Sequence, residues 1–245
     1  MYYEDLYLVH GAFWNIERRA KFYEEYMKEI KNWRKWPNSV DLFEVQKLLG
    51  FIIKWDMHLR MRNPEDLYKI YKEIHPMIVE LNGKRLEDIN LAVDVTKQIG
   101  YIFDKIAPCS IGAYESTDCS KILHTVLPHL IVMWDMKIRK GILGDENKKS
   151  GAVYALEFLP QMQIELREAI ATCMDERRLN REEAIKHISE VCGYESLPKL
   201  IDEHNYVIYT KRDDFLSYLD NLKKNKGIKP EAYQRLMKKL VKPEG

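Results

Sequence analysis

Glycine and proline are both scarce in this chain, at 11 and 9 of 245 residues. A many-turned β-sandwich or a glycine-looped dinucleotide fold uses more of both, so neither is expected. No apolar run approaches the ~18 residues that span a bilayer, and no membrane partner is expected. The opening stretch, residues 1–11, has neither a basic start nor a signal-type apolar core, which argues against secretion. Cys109, Cys119, Cys173 and Cys192 form no Cys-x-x-Cys pair and read as reduced thiols of a cytoplasmic protein. Walker loops, Gly-x-Ser-x-Gly elbows, His-Glu-x-x-His pairs and EF-hand loops are all missing from the sequence. Ser110, Ser116 and Ser120 stand at no triad spacing from a histidine.

What is present is an ordinary globular balance, with 46% hydrophobic and 31% charged residues at a net charge of +1. That combination excludes a disordered chain. The abundance of Lys, Glu, Tyr and Ile is a composition met in thermophiles. Charge is unevenly placed. Residues 211–245 hold ten Lys/Arg against five Asp/Glu, while the other 210 residues hold 29 against 33. A basic tail on a near-neutral body suits contact with phosphate, and equally suits a solvated lysine-rich helix face.

Apolar residues recur at three- and four-residue steps almost everywhere, so the fold class expected is all-α, with roughly ten helices. Phe13, Ile16, Ala20, Tyr23, Met27 and Ile30 form one stripe over 13–33. Trp36-Pro37-Asn38-Ser39 breaks it, and Asn38 or Ser39 can cap a second helix reaching about Met61. Asn63-Pro64-Glu65-Asp66 is a start signal, and Asn82-Gly83 ends that helix. A fourth helix is expected over 86–106. Residues 108–115 read as irregular, 117–126 as a short helix and 130–134 as extended. Asp135 stands at an N-cap before a helix over 136–143. A long helical pattern then runs to Arg178 with an interruption near Pro160. Asn180 to Glu183 forms a capping box, followed by helices over 181–191, 197–209, 213–225 and 230–241. Gly193 and Gly227 are the expected C-terminal stops. The chain reads as one helical unit, 1–245, that can divide into two lobes hinged near 108–116, with basic C-terminal helices over 211–245.

Chemistry concentrates between residues 120 and 139. Lys121 sits on a short helix among Ile122, Leu123 and Val126. A lysine amine is nucleophilic only when neutral, and apolar surroundings favour that state. Asp135, at a helix N-terminus, is held as a carboxylate by backbone donors and can stabilise a nearby developing cation. A neutral amine opposite a fixed carboxylate suits attack at a sugar carbon, with an oxocarbenium-like transition state and a Schiff-base product. The plainer alternatives stay open: Lys121 as a surface lysine and Asp135 as a cap alone.

The run Ser120-Lys121, an apolar helix, Pro128, an apolar strand and then Asp135-x-x-Ile138 resembles the catalytic core of the helix-hairpin-helix DNA glycosylases. The 8-oxoguanine glycosylase branch is the nearest within that family. The resemblance covers Ile111 to Leu143. The family's Leu-Pro-Gly-x-Gly hairpin is represented only by Ala107-Pro108-Cys109-Ser110-Ile111-Gly112-Ala113. The resemblance implies a two-lobed helical fold, double-stranded DNA as partner and a flipped-out base held between the lobes. It implies Lys121 as the Schiff-base nucleophile and Asp135 as the assisting carboxylate, with no metal or organic cofactor. Tyr114, Trp134 and His124 are then candidates for the substrate side, where aromatics can stack on or wedge into DNA. Trp134 alternatively packs in the core, and His124 with His129 alternatively bonds structurally or ligates a metal. Lys137, Arg139, Lys140, Lys148 and Lys149 would hold phosphates, or form a solvated face. The competing expectation is a non-catalytic helical protein of the same fold that binds nucleic acid or a protein partner.

Overall fold

A computed structural model describes residues 1–18, 20–31, 41–55, 63–110, 115–194 and 196–241. Among these residues the chain is all-helical, with no strand. No helix in them is long and apolar enough to cross a membrane. The expected hairpin residues 111–113, the break over 36–39 and the end of the second helix near Met61 lie outside the described residues.

The stripe read over 13–33 belongs to two helices, α1 (Tyr3–Ile16) and α2 (Ala20–Lys31). Both bury the same kind of face, so periodicity alone runs through the junction. Glu17 leaves the helix in an extended conformation, and its carboxylate accepts from the Tyr206 hydroxyl at 2.8 Å. Next come α3 (Leu42–Trp55) and α4 (Pro64–Leu81). The Asn63 side chain caps α4 by accepting from Glu65 N–H, with Pro64 at its first position.

The fourth expected helix starts late: α5 spans Val93–Ile106, and 82–92 is a chain of turns. Its backbone is claimed by distant side chains. Gln163 donates to the carbonyls of Leu86 (2.6 Å) and Ile89 (2.8 Å), and Arg167 donates to Glu87 O (3.0 Å). Leu86 N–H donates to His129 O at 2.8 Å. A helix through Leu86 would forfeit these bonds.

After α6 (Glu115–Val126), residues 131–135 are neither helix nor strand, and α7 (Met136–Leu143) begins at the Asp135 cap. Gly144 closes α7 in the left-handed conformation at φ 73°. The long helix expected to Arg178 forms as α8 (Gly151–Val153), a π turn over Tyr154–Phe158 and α9 (Leu159–Arg177). Pro160 has no N–H for the carbonyl four residues back, and the widened turn sits directly before it, with Leu159 N–H bonding Tyr154 O. α5 crosses the start of α8 where Gly100 meets Gly151. A Cβ on Gly151 would come within 2.1 Å of the Gly100 carbonyl oxygen, so backbone contact requires glycine there.

α10 (Arg181–Cys192) carries the Asn180/Glu183 capping box and ends at Gly193, φ 70°. α11 (Leu197–Asn205) runs into a π turn over Tyr206–Thr210, then α12 (Arg212–Lys224) and α13 (Pro230–Val241). The left-handed residue after α12 is Lys226, φ 55°, rather than Gly227.

The main core gathers Leu48, Ile52, Tyr71, Phe103, Trp134 and Phe158 with neighbours from most helices. A second core joins Val9, Ala12 and Phe13 of α1 to Phe215, Leu219, Leu236 and Leu240 of α12 and α13. α1 serves both, through Leu6 on the first side and Val9 on the second. Replacing Gln163 with Leu should lower the unfolding free energy in urea by about 2 kcal/mol, because the Leu86 carbonyl loses its side-chain donor and the Ile89 carbonyl keeps only Arg167, at 3.3 Å. An unchanged urea midpoint would show that water replaces the amide.

Candidate functional site

Lys121 and Asp135 are both half-buried, one on α6 and the other at the end of the 131–135 segment. Side chains hold that segment in place of a ladder. The Tyr154 hydroxyl donates to Val132 O (2.7 Å) and accepts from Val132 N–H (3.2 Å). The Ser120 hydroxyl accepts from Trp134 N–H at 3.2 Å. The His124 ring lies 2.6 Å from Ile131 O through Nδ1, and 2.8 Å from the Tyr23 hydroxyl through Nε2. This pattern has Nδ1–H donating to the carbonyl and Nε2 accepting from tyrosine. Ser120 thus ties the helix bearing Lys121 to the residue before Asp135.

Asp135 has both oxygens engaged. Oδ1 accepts from Ile138 N–H (2.8 Å), and Oδ2 accepts from the Thr210 hydroxyl (2.7 Å). The neighbouring Tyr209 ring packs closely against Gly141 of α7. A Cβ on Gly141 would fall 2.2 Å from that ring.

His124 is fully buried, and burial lowers its pKa to about 3, so the ring is neutral. It serves the backbone and Tyr23 rather than a cavity. Trp134 is buried to 1% exposure. Its Nε1–H donates to Ser116 O (3.1 Å), and its ring is enclosed by Phe103, Tyr154, Phe158 and Arg139. That is the core-packing alternative, not a stacking wall. Arg139 also departs from the basic face. It is buried, donating to Ser116 Oγ (2.8 Å) and to Glu146 O (3.0 Å), and burial lowers its pKa against the pull of Asp135 and Glu146. Lys137, Lys140 and Lys149 are exposed, and Lys148 pairs with Glu157 at 2.8 Å. Tyr114 lies outside the described residues.

The residues that sequence reading missed are on α11. Its nine residues, Leu-Pro-Lys-Leu-Ile-Asp-Glu-His-Asn, are all buried. Lys199 Nζ meets Asp202 Oδ2 at 2.7 Å and Glu203 Oε1 at 3.5 Å, and lies over the rings of Phe13 (4.6 Å) and Tyr23 (5.1 Å). Glu203 Oε2 meets His10 Nδ1 at 2.7 Å. Burial opposes the charge on Lys199, but the two carboxylates outweigh it and raise its pKa, so it stays an ammonium. Asp202 is also raised. Burial is the main cause and Glu203 adds to it, while Lys199 and then Lys121 pull the other way. Two carboxylates face one buried ammonium. His10 Nδ1 bonds Glu203 on one side, and Lys121 adds a weaker attraction on Asp202 from the other.

Tyr23 also walls a cavity of about 150 Å³, together with Met27, His129, Tyr194 and Ser196. The Tyr194 phenol is pushed up by burial and by Glu203. Among the described residues, no three His, Cys, Asp or Glu side chains converge as a metal site. Compared with protein-family models, curated proteins and solved structures, the chain matches none.

The neutral His124 has a pH consequence. Between about pH 6.5 and about 3 the unfolded chain takes a proton that the folded ring refuses, so stability falls as pH falls through that window. Unfolding free energies of wild type and His124→Gln at pH 7, 6, 5 and 4 check this. The variant should start about 1–3 kcal/mol lower and lose stability less steeply. His204, likewise lowered by burial, leaves part of the slope in place. Parallel curves would contradict the assignment.

Proposed function

We propose that the protein is a DNA base-excision glycosylase and abasic-site lyase acting on a damaged base, with 8-oxoguanine the first substrate to try. The observation that supports this reading is the Ser120 hydroxyl, which ties the helix bearing Lys121 to the residue before Asp135; Lys121 and Asp135 are each half-buried. Lys121 Nζ, once deprotonated, attacks C1′. The C1′–N bond breaks, and its electron pair leaves with the base. The amine nitrogen then gives a proton to the sugar ring oxygen as the C1′–O4′ bond breaks, the ring opens to a C1′=N Schiff base, and β-elimination can follow. Asp135 offers negative charge to the cationic transition state. Asp202, within electrostatic reach of Lys121, is a buried carboxylate able to take the lysine proton. The cavity walled by Tyr23, His129 and Tyr194 offers aromatic faces to a flipped base, although neither Lys121 nor Asp135 lines it. Lys137, Lys140 and Lys149 offer phosphate contacts beside Asp135.

One observation favours the alternative, a non-catalytic helical protein binding nucleic acid or a protein partner. Both Asp135 oxygens already have donors, as a pure cap would.

Borohydride trapping on duplexes carrying 8-oxoguanine or an abasic site decides between them. A covalent adduct should form with wild type and be lost in Lys121→Ala and Lys121→Gln. An adduct that survives both substitutions removes Lys121 from the chemistry. Absence of any adduct with folded protein favours the non-catalytic reading.

A further inference from the structure

The basic C-terminal segment has no role in the chemistry above, yet the fold gathers its charge in one place. α12 and α13 pack their apolar faces into the second core through Phe215, Leu219, Ala232, Leu236 and Leu240. This fixes the turn between them as a rigid end. Arg235 and Lys239 point back into the fold, at Asp5 and His204. Lys223, Lys224, Lys226 and Lys229 remain exposed around the turn. Three of them line a hollow of about 680 Å³ with Tyr233 and Gln234. The acids near it are few. Glu4 holds Lys229 at 3.0 Å with Glu176 also within electrostatic reach of it, Asp220 accepts from the Tyr233 hydroxyl, and Glu231 is exposed.

Lys226 is the telling residue. Gly227 N–H bonds Leu222 O (2.8 Å) and Lys226 N–H bonds Lys223 O (3.2 Å), the helix-ending pattern whose left-handed position glycine fills at least cost. The chain places a lysine there at φ 55°, with glycine only one residue later. The same conformation ends α9 at Arg178, φ 56°; at Lys226 it presents the cation beside three other exposed lysines.

We infer that the α12–α13 turn is a docking surface for the phosphodiester backbone of duplex DNA. This rests on the nucleic-acid part of the proposed function and not on its chemistry. The exposed charge around the hollow is positive, and the half-buried Ile228 offers little to a lipid surface. Backbone contact of this kind holds DNA without reading sequence and weakens with salt.

The test is fluorescence anisotropy of a short undamaged duplex against rising potassium chloride, using the full chain. Each lysine that neutralises a phosphate contributes about 0.9 to the slope of log affinity against log salt. Lys223→Gln/Lys224→Gln/Lys226→Gln should flatten the slope by about 2–3 and weaken binding by about tenfold or more at low salt. The triple Lys69→Gln/Lys72→Gln/Lys97→Gln, which removes the same charge elsewhere, should change it far less. Lys226→Gly guards against misfolding. It relieves the left-handed strain, so Tm should hold or rise while the slope falls by about 1. Equal slopes for the turn and control triples would overturn the proposal. So would inorganic phosphate that binds at the turn by calorimetry while DNA affinity stays unchanged in the variants. If wild type gives no borohydride adduct but the slope responds, the glycosylase reading falls and the surface stands. If an adduct forms but the slope does not respond, the surface falls and the glycosylase reading stands.

Discussion

The fold depends on burying charge inside α11. A lysine, two carboxylates, a histidine and an asparagine lie on one nine-residue helix with no exposed residue. Each would be costly alone in that interior, because an unpaired buried charge loses its hydration. They persist because the helix spacing brings Lys199 to both Asp202 and Glu203, because α1 brings the His10 ring to hydrogen-bond Glu203, and because α6 brings Lys121 within electrostatic reach of Asp202. Phe13 and Tyr23 cover the ammonium. α1, α2, α6 and α11 therefore have to assemble together, or the charges are left exposed to a partly apolar interior.

The second constraint is the irregular segment 131–135. An unladdered backbone in a core needs a donor or acceptor for each polar group. Here the partners are single side chains, His124, Tyr154 and Ser120. Two of the three are on α6, and His124 passes its second ring nitrogen to Tyr23, which also covers Lys199. The backbone that ends at Asp135 and the ion cluster that faces Lys121 are thus coupled through one histidine and one tyrosine. Any chemistry at Lys121 takes place on a helix that both constraints hold.

Elements set by neighbouring residues were legible in the sequence. Asn63, Asp135 and Asn180 cap as their local patterns suggest, and Gly193 closes its helix because its positive φ is cheap for glycine. Features set by distant residues were not. The turns at 82–92 exist because of Gln163 and Arg167, some 77 to 80 positions away. The Lys199, Asp202 and Glu203 spacing is visible in the sequence, but at three and four residues it looks the same as a solvated ion-pair face. Its burial follows from Phe13, Tyr23 and His10, nearly the whole chain away. Trp134, His124 and Arg139 carry chemistry-bearing groups, and only their burial shows that they are used for packing. The Lys121 and Asp135 motif is visible in the sequence, whereas the approach of Lys121 to Asp202 is not. The Thr210 hydroxyl on Asp135 depends on a π turn that no local pattern announces.

The most direct test of the buried cluster is a double-mutant cycle between Lys199→Met and Asp202→Asn, followed by urea unfolding at pH 7. Removing one partner of a buried ion pair strands the other, so each single change should cost about 3–5 kcal/mol. The double variant strands less charge than the sum implies, and the coupling between the two sites should be about 2–3 kcal/mol. Additive losses, with no coupling, would mean that Lys199 and Asp202 do not depend on each other, and that α11 is held in the core by its apolar residues alone.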